Sequence, residues 1–221
     1  MDLKFISTHN QAGYLAPPPE KHKKMYASLI KGLNSCRIVH ALRDNPVVYE
    51  SLVQEFWKTT RFNALGADGK GSIEAEIQKK SVSVTEQIIR EVLQFNDQET
   101  DPIDLPGGTV EAILPRLSYE GTYPSLMKKF MHPYWRLLMP MFMLCMTENR
   151  GGTDQLSITQ SAAFVCLIMN QPYNYSKYVF EGMKRNVISV RKDKFIMYPR
   201  FLQMIFNARY SELEKTGNTL D

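Results

Sequence analysis

Two stretches of this 221-residue chain are apolar on almost every side: Tyr134 to Thr147 (YWRLLMPMFMLCMT) and Ser157 to Asn170 (SITQSAAFVCLIMN). A helix that is apolar all round is buried, so the pair predicts the centre of a packed core. Neither stretch serves as a membrane span. The longest apolar run, Leu137 to Met146, has ten residues, against the roughly 18–20 that a bilayer needs. Pro140 lies inside the first stretch and predicts a kink or a break there. Glu148 to Asp154 (ENRGGTD) is the turn between the two.

The other elements follow from periodicity and from caps. Met25, Leu29, Ile30 and Leu33 recur at helical spacing, and Gly32 and Asn34-Ser35 mark the end of that helix. Asp44-Asn45-Pro46 has the form of a helix start, followed by an apolar face of Val48, Leu52, Val53, Phe56 and Trp57. The pattern then changes to alternation, over Thr59–Leu65 and Ser72–Ile77, around a glycine-rich loop at 66–71. That is a β-hairpin, to which Lys80–Val84 can add a third strand. Thr85-Glu86, Ser176 and Pro199 open further helices, and Asn96–Gly108 is an acidic loop. The fold class expected is mainly α: a single helical domain over 20–210 with a small inserted β-hairpin or three-stranded element near residues 58–84. A flexible arm, 1–19, precedes it, ending in Ala16-Pro17-Pro18-Pro19, and a polar tail, 211–221, follows and frays.

The chemistry-bearing residues exclude more than they suggest. The three cysteines, Cys36, Cys145 and Cys166, are too few and too dispersed for a disulfide framework. They have no CxxC spacing, and the four histidines form no HExxH, so no metal site and no cofactor is expected. Cys145 and Cys166 sit in apolar runs, where a thiol is held neutral and inert. Gly66–Gly71 lacks the spacing of a phosphate-binding loop. No small-molecule substrate is nominated and no catalytic residue is named.

Charge is distributed unevenly. Lys4 to Arg43 holds seven basic residues and one acid, Asp44 to Tyr123 seven basic residues and fourteen acids, and Lys177 to Lys215 nine basic residues and four acids. Basic ends and an acidic middle suit head-to-tail self-association. Lys184, Arg185, Arg191, Lys192, Lys194 and Arg200, interleaved with Tyr175, Tyr178, Phe195 and Tyr198, form a candidate nucleic-acid-binding patch for RNA or DNA. In the competing reading the aromatics are core and the cations merely solvated.

Four ordered segments carry a resemblance: Asn45–Trp57 (NPVVYESLVQEFW), His132–Leu138 (HPYWRLL), Tyr173–Met183 (YNYSKYVFEGM) and Lys194–Phe201 (KFIMYPRF), with Ser7-Thr8-His9-Asn10 and Tyr14-Leu15 ahead of them. Together they resemble a protein family encoded by plant long-terminal-repeat retrotransposons, abundant in the daisy family. The resemblance implies a segment that sits beside or upstream of gag and polymerase modules. No catalytic residues carry over, and the signatures of reverse transcriptase, integrase, RNase H and protease are missing. The expectation is a non-enzymatic, gag-like or accessory module acting through self-association and nucleic-acid contacts. The alternative is a degenerate or domesticated domain that binds a host protein and no nucleic acid. Either is expected inside the cell, cytoplasmic or nuclear, not secreted and without a membrane anchor.

Overall fold

A computed structural model of the chain describes residues 3–13, 23–66, 69–149, 151–190 and 194–220. Its helices are α1 (Lys23–Leu33), α2 (Val39–Arg43), α3 (Glu50–Thr59), α4 (Glu86–Leu93), α5 (Thr109–Ile113), α6 (Pro133–Met146), α7 (Ile158–Met169), α8 (Tyr175–Ile188) and α9 (Pro199–Arg209). Strands are short: β1 (Leu3–Lys4), β2 (Val48–Tyr49), β3 (Arg61–Asn63), β4 (Ser72–Ile77), β5 (Lys80–Val84), β6 (Leu126–Met127), β7 (Gln155–Leu156), β8 (Lys194–Phe195) and β9 (Thr219–Leu220). The fold is mainly α with small β elements, as the sequence predicts. No helix among the described residues is long and apolar enough to cross a membrane.

The inserted β element is three-stranded and antiparallel, in the order β3-β4-β5. Its alternation places Ile73, Ala75, Ile77, Val82 and Val84 on the buried face. On the other face, Arg61 pairs with Glu74 across the strands at 2.9 Å. The apolar pair α6 and α7 meets through Phe142 and Phe164, whose ring centroids lie 5.5 Å apart. Helix α7 opens with a reciprocal cap: Gln160 N donates to Ser157 Oγ, and Ser157 N donates to Gln160 Oε1. Helix α6 runs unbroken through Pro140. Leu138, Met139, Phe142 and Met143 on either side are buried, and their packing anchors the turns flanking the proline.

Three expectations about the chain's margins are corrected. Residues 3–13 are no free arm. Strand β1 pairs in parallel with β8, and His9 and Asn10 are buried; residues 14–19 of the expected arm lie outside the described residues. The tail from Ser211 is tied down as well. Leu213 is buried, Glu50 N donates to Asn218 O, and β9 pairs with β2. That pairing also corrects the helix start at Asp44-Asn45-Pro46: Val48 and Tyr49 are held extended by Leu220 and Thr219, so α3 begins only at Glu50.

Helix α9 departs most from its sequence. Pro199 to Phe206 is buried continuously, although it contains Arg200 and Gln203. Burying such groups is tolerable only when every polar atom finds a partner. Gln203 Oε1 accepts from Tyr49 N at 3.0 Å, while its Nε2 donates to Asn207. The partners of Arg200 come from further away still.

Candidate functional site

The six cations read from the sequence as one surface patch do not stay together. Lys184 and Arg185 lie on the solvent side of α8, each beside an acid: Lys184 Nζ is 3.2 Å from Glu181, and Arg185 Nη2 is 3.2 Å from Glu148. Lys184 also sits 4.9 Å above the Phe62 ring. Arg191 and Lys192 lie outside the described residues, and Lys194 contributes its backbone to β8. Arg200 leaves the patch altogether, being 3% exposed. The aromatics expected as stacking platforms, Tyr175, Tyr178, Phe195 and Tyr198, are buried in the core. No aromatic face of the four is open to a base.

Arg200 belongs instead to an interior polar network. Its Nε donates to Asn10 O at 2.9 Å, and its Nη2 donates to Ala41 O at 2.6 Å and to Cys145 Sγ at 3.0 Å. Its Nη1 donates to Asp44 O. Asn10 in turn caps α9, accepting from Phe201 N at 3.0 Å through Oδ1 and donating to Cys145 O at 2.8 Å. His9 Nε2 accepts from Tyr198 N at 2.8 Å. The Ser7-Thr8-His9-Asn10 and Tyr198-Pro199-Arg200 segments are thus two halves of one joint, and its role is architectural. Burial pushes the Cys145 thiol up, against the pull of Arg200.

A second buried network clamps the start of α8. Asp97 Oδ2 accepts from Ser176 N at 2.7 Å, and Oδ1 accepts from Ser176 Oγ at 3.0 Å and from Arg90 Nε at 2.8 Å. Arg90 also donates to Glu86 at 2.6 Å, and Asn174 Oδ1 accepts from Lys177 N at 2.8 Å as the cap of α8. Through Asp97 the acidic loop is therefore a structural strut. No group of three or more His, Cys, Asp or Glu suited to a metal occurs among the described residues.

An apolar cleft of about 490 Å3 is bounded by α1, α6 and the end of α7. Ser28, Leu29, Gly32 and Leu33 form one wall, Tyr134, Trp135 and Leu138 the second, and Leu167, Ile168 and Asn170 the third, with Ser35 and Cys36 closing one end. Helical spacing accounts for each wall separately: residues four apart on a helix share a face, as Ser28 and Gly32 or Tyr134 and Leu138 do. Their convergence is tertiary. Gly32 keeps the cleft open, because a Cβ built there meets nothing within 4 Å. Trp135 is fixed through Nε1, which donates to Leu117 O at 3.1 Å. The volume falls in the range of ligand pockets, roughly 300–1,000 Å3, and the lining holds no charged side chain.

Cys36 is the half-buried thiol of the three, whereas Cys145 and Cys166 are buried. Burial raises the Cys36 thiol and pushes Cys166 up to about 11. In native protein at pH 8, one thiol is expected to react slowly with N-ethylmaleimide, and all three in urea. Mass spectrometry of the alkylated peptides checks this: early labelling of Cys145 or Cys166 would contradict the packing described.

A second hollow, about 460 Å3, is polar and contains the Glu91–Arg209 ion pair alongside His40 and Asp44. Compared with protein-family models, with curated proteins and with solved structures, the chain has no match. Its function is therefore argued from geometry.

Proposed function

We propose that the chain is a non-enzymatic interaction module, of the gag-like or accessory kind that the resemblance implies, and that it binds through the α1–α6–α7 cleft. The observation carrying this reading is the cleft itself: an apolar recess, whereas the polar networks around Arg200 and Asp97 hold the fold. Protein contact is favoured over nucleic acid because the expected cation patch loses Arg200 and the aromatic platforms beside it are buried. Arg200 lies inside, and Lys184 and Arg185 are matched by Glu181 and Glu148. A chain that touches phosphates needs several cations along one face.

Anilinonaphthalene sulfonate is the first probe. Its emission is expected to rise on binding in the cleft, with energy transfer from Trp135. Gly32→Leu should abolish both signals by filling the open space. The variant remains folded, since a Cβ at 32 meets no neighbour, the rest of the side chain extends into open cleft, and replacing a helical glycine typically stabilises by about 0.5–1 kcal/mol. Dye binding that Gly32→Leu leaves unchanged would remove the cleft from the reading.

A further inference from the structure

The elements that build the cleft are lopsided in charge. Helix α1, the turn 34–36, α6 and α7 together carry Lys23, Lys24, Lys31 and Arg136 and not one Asp or Glu. Lys31 is exposed on α1, one residue before the Gly32 that lines the cleft. Arg136 is exposed beside the lining residue Trp135, its Nη2 bound to Lys129 O and Met131 O. The acids that flank α6 and α7 in sequence, Glu148 and Asp154, lie at the opposite ends of these helices from Tyr134 and Ile168. The acidic loop, anchored by Arg37 Nη1 on Asn96 O at 2.6 Å, gives the lining no residue.

We infer that the occupant of this cleft is an acidic amphipathic helix of a partner protein. The inference rests on the cleft reading above. The charge-free floor takes apolar side chains. Its volume of about 490 Å3 is roughly three times the ~150 Å3 cavity that accepts a benzene ring, enough for a few anchors spaced i, i+3 or i+4, and i+7. Glu and Asp on the flanks of that helix meet Lys31 and Arg136 at the rim. There charge complementarity sets partner choice and on-rate more than raw affinity. Ser28 and Gly32, one turn apart and small, let the incoming helix approach closely.

The test uses the full chain and two fluorescein-labelled helical peptides with the same Leu and Phe anchors. One carries Glu at the remaining positions, the other Lys. Anisotropy is expected to favour the Glu peptide by about tenfold or more at low salt, with the margin shrinking as salt rises. Binding should shift Trp135 emission and protect Cys36 from N-ethylmaleimide. It should weaken several-fold in Lys31→Glu and vanish in Gly32→Leu. Equal or stronger binding of the Lys peptide overturns the inference. So does Glu-peptide binding that Gly32→Leu does not disturb, or single-stranded RNA that binds in place of the peptide. If neither peptide binds while the dye still reports a Gly32-dependent site, the acidic-helix occupant is wrong and the cleft reading stands. If dye and peptides both fail, the cleft reading falls with it.

Discussion

Arg200→Met is expected to lower the stability of the fold by about 3–5 kcal/mol, against roughly 1 kcal/mol for a typical substitution. Methionine fills much of the volume of the arginine stem but donates nothing. Two buried carbonyls, Asn10 O and Ala41 O, and the half-covered Asp44 O then lose this donor together. Asn10 lies in the N-terminal segment and the other two at the end of α2, so no single local shift restores all three. Arg200→Lys should cost less, because one ammonium reaches some of these acceptors but lacks the planar fork that reaches all of them. Urea unfolding followed through Trp57 gives the readout; its Nε1 donates to Met197 O, close to the joint. A loss below about 1 kcal/mol would mean that the guanidinium is not the interior tie described. The same experiment separates the architectural role from the surface role expected from sequence. A phosphate-contacting arginine is exposed, and its replacement leaves the midpoint unchanged.

Asp97→Asn is expected to cost about 2–4 kcal/mol, for a different reason. The carboxylate accepts from three donors, and an amide presents one oxygen and one NH2 group, so at least one of Ser176 N, Ser176 Oγ and Arg90 Nε faces another donor. Thermal unfolding should show the loss, and amide exchange should show the first turn of α8 opening first. The effect also carries a pH signature. Burial pushes the Asp97 carboxyl above its ordinary value, against the pull of Ser176 and Arg90. The folded chain then holds this proton more tightly than the unfolded chain does. That increment of stability is complete below about pH 4, where an unfolded aspartate titrates, and it is lost as pH rises through the raised folded value. The gap between wild type and Asp97→Asn should therefore narrow from pH 4 to pH 7. A gap that widens over this range would contradict the assigned direction.

How much of this was legible depends on how local the cause is. The three-stranded element near residues 58–84 is visible because alternation and a glycine-rich turn act within a few residues of each other. Thr85 as the cap of α4, whose side chain accepts from Ile88 N, is visible for the same reason. Helix α1 is legible too, and Leu29 and Leu33 of its apolar face line the cleft, but Ser28 and Gly32 beside them are not picked out by periodicity. The cleft itself is not legible, because it exists only where the ends of α6 and α7 arrive against that face. The basic patch failed at Arg200. A cation beside aromatic residues reads alike whether the aromatics face water or the interior, and linear order cannot tell the two apart.

The sequence by itself determined that α6 and α7 would be buried, since side chains apolar on every face leave no favourable alternative in water. Burial of the polar residues was decided by the tertiary structure alone. Arg200, Asn10 and Gln203 lie inside because their partners stand 190 and 154 residues away along the chain. A buried polar group is stable only in the company of its acceptors and donors, and that company leaves no trace in local periodicity or composition. The same holds for the two chain ends, whose short strands read as arm and tail until β8 and β2 supply the edges they complete.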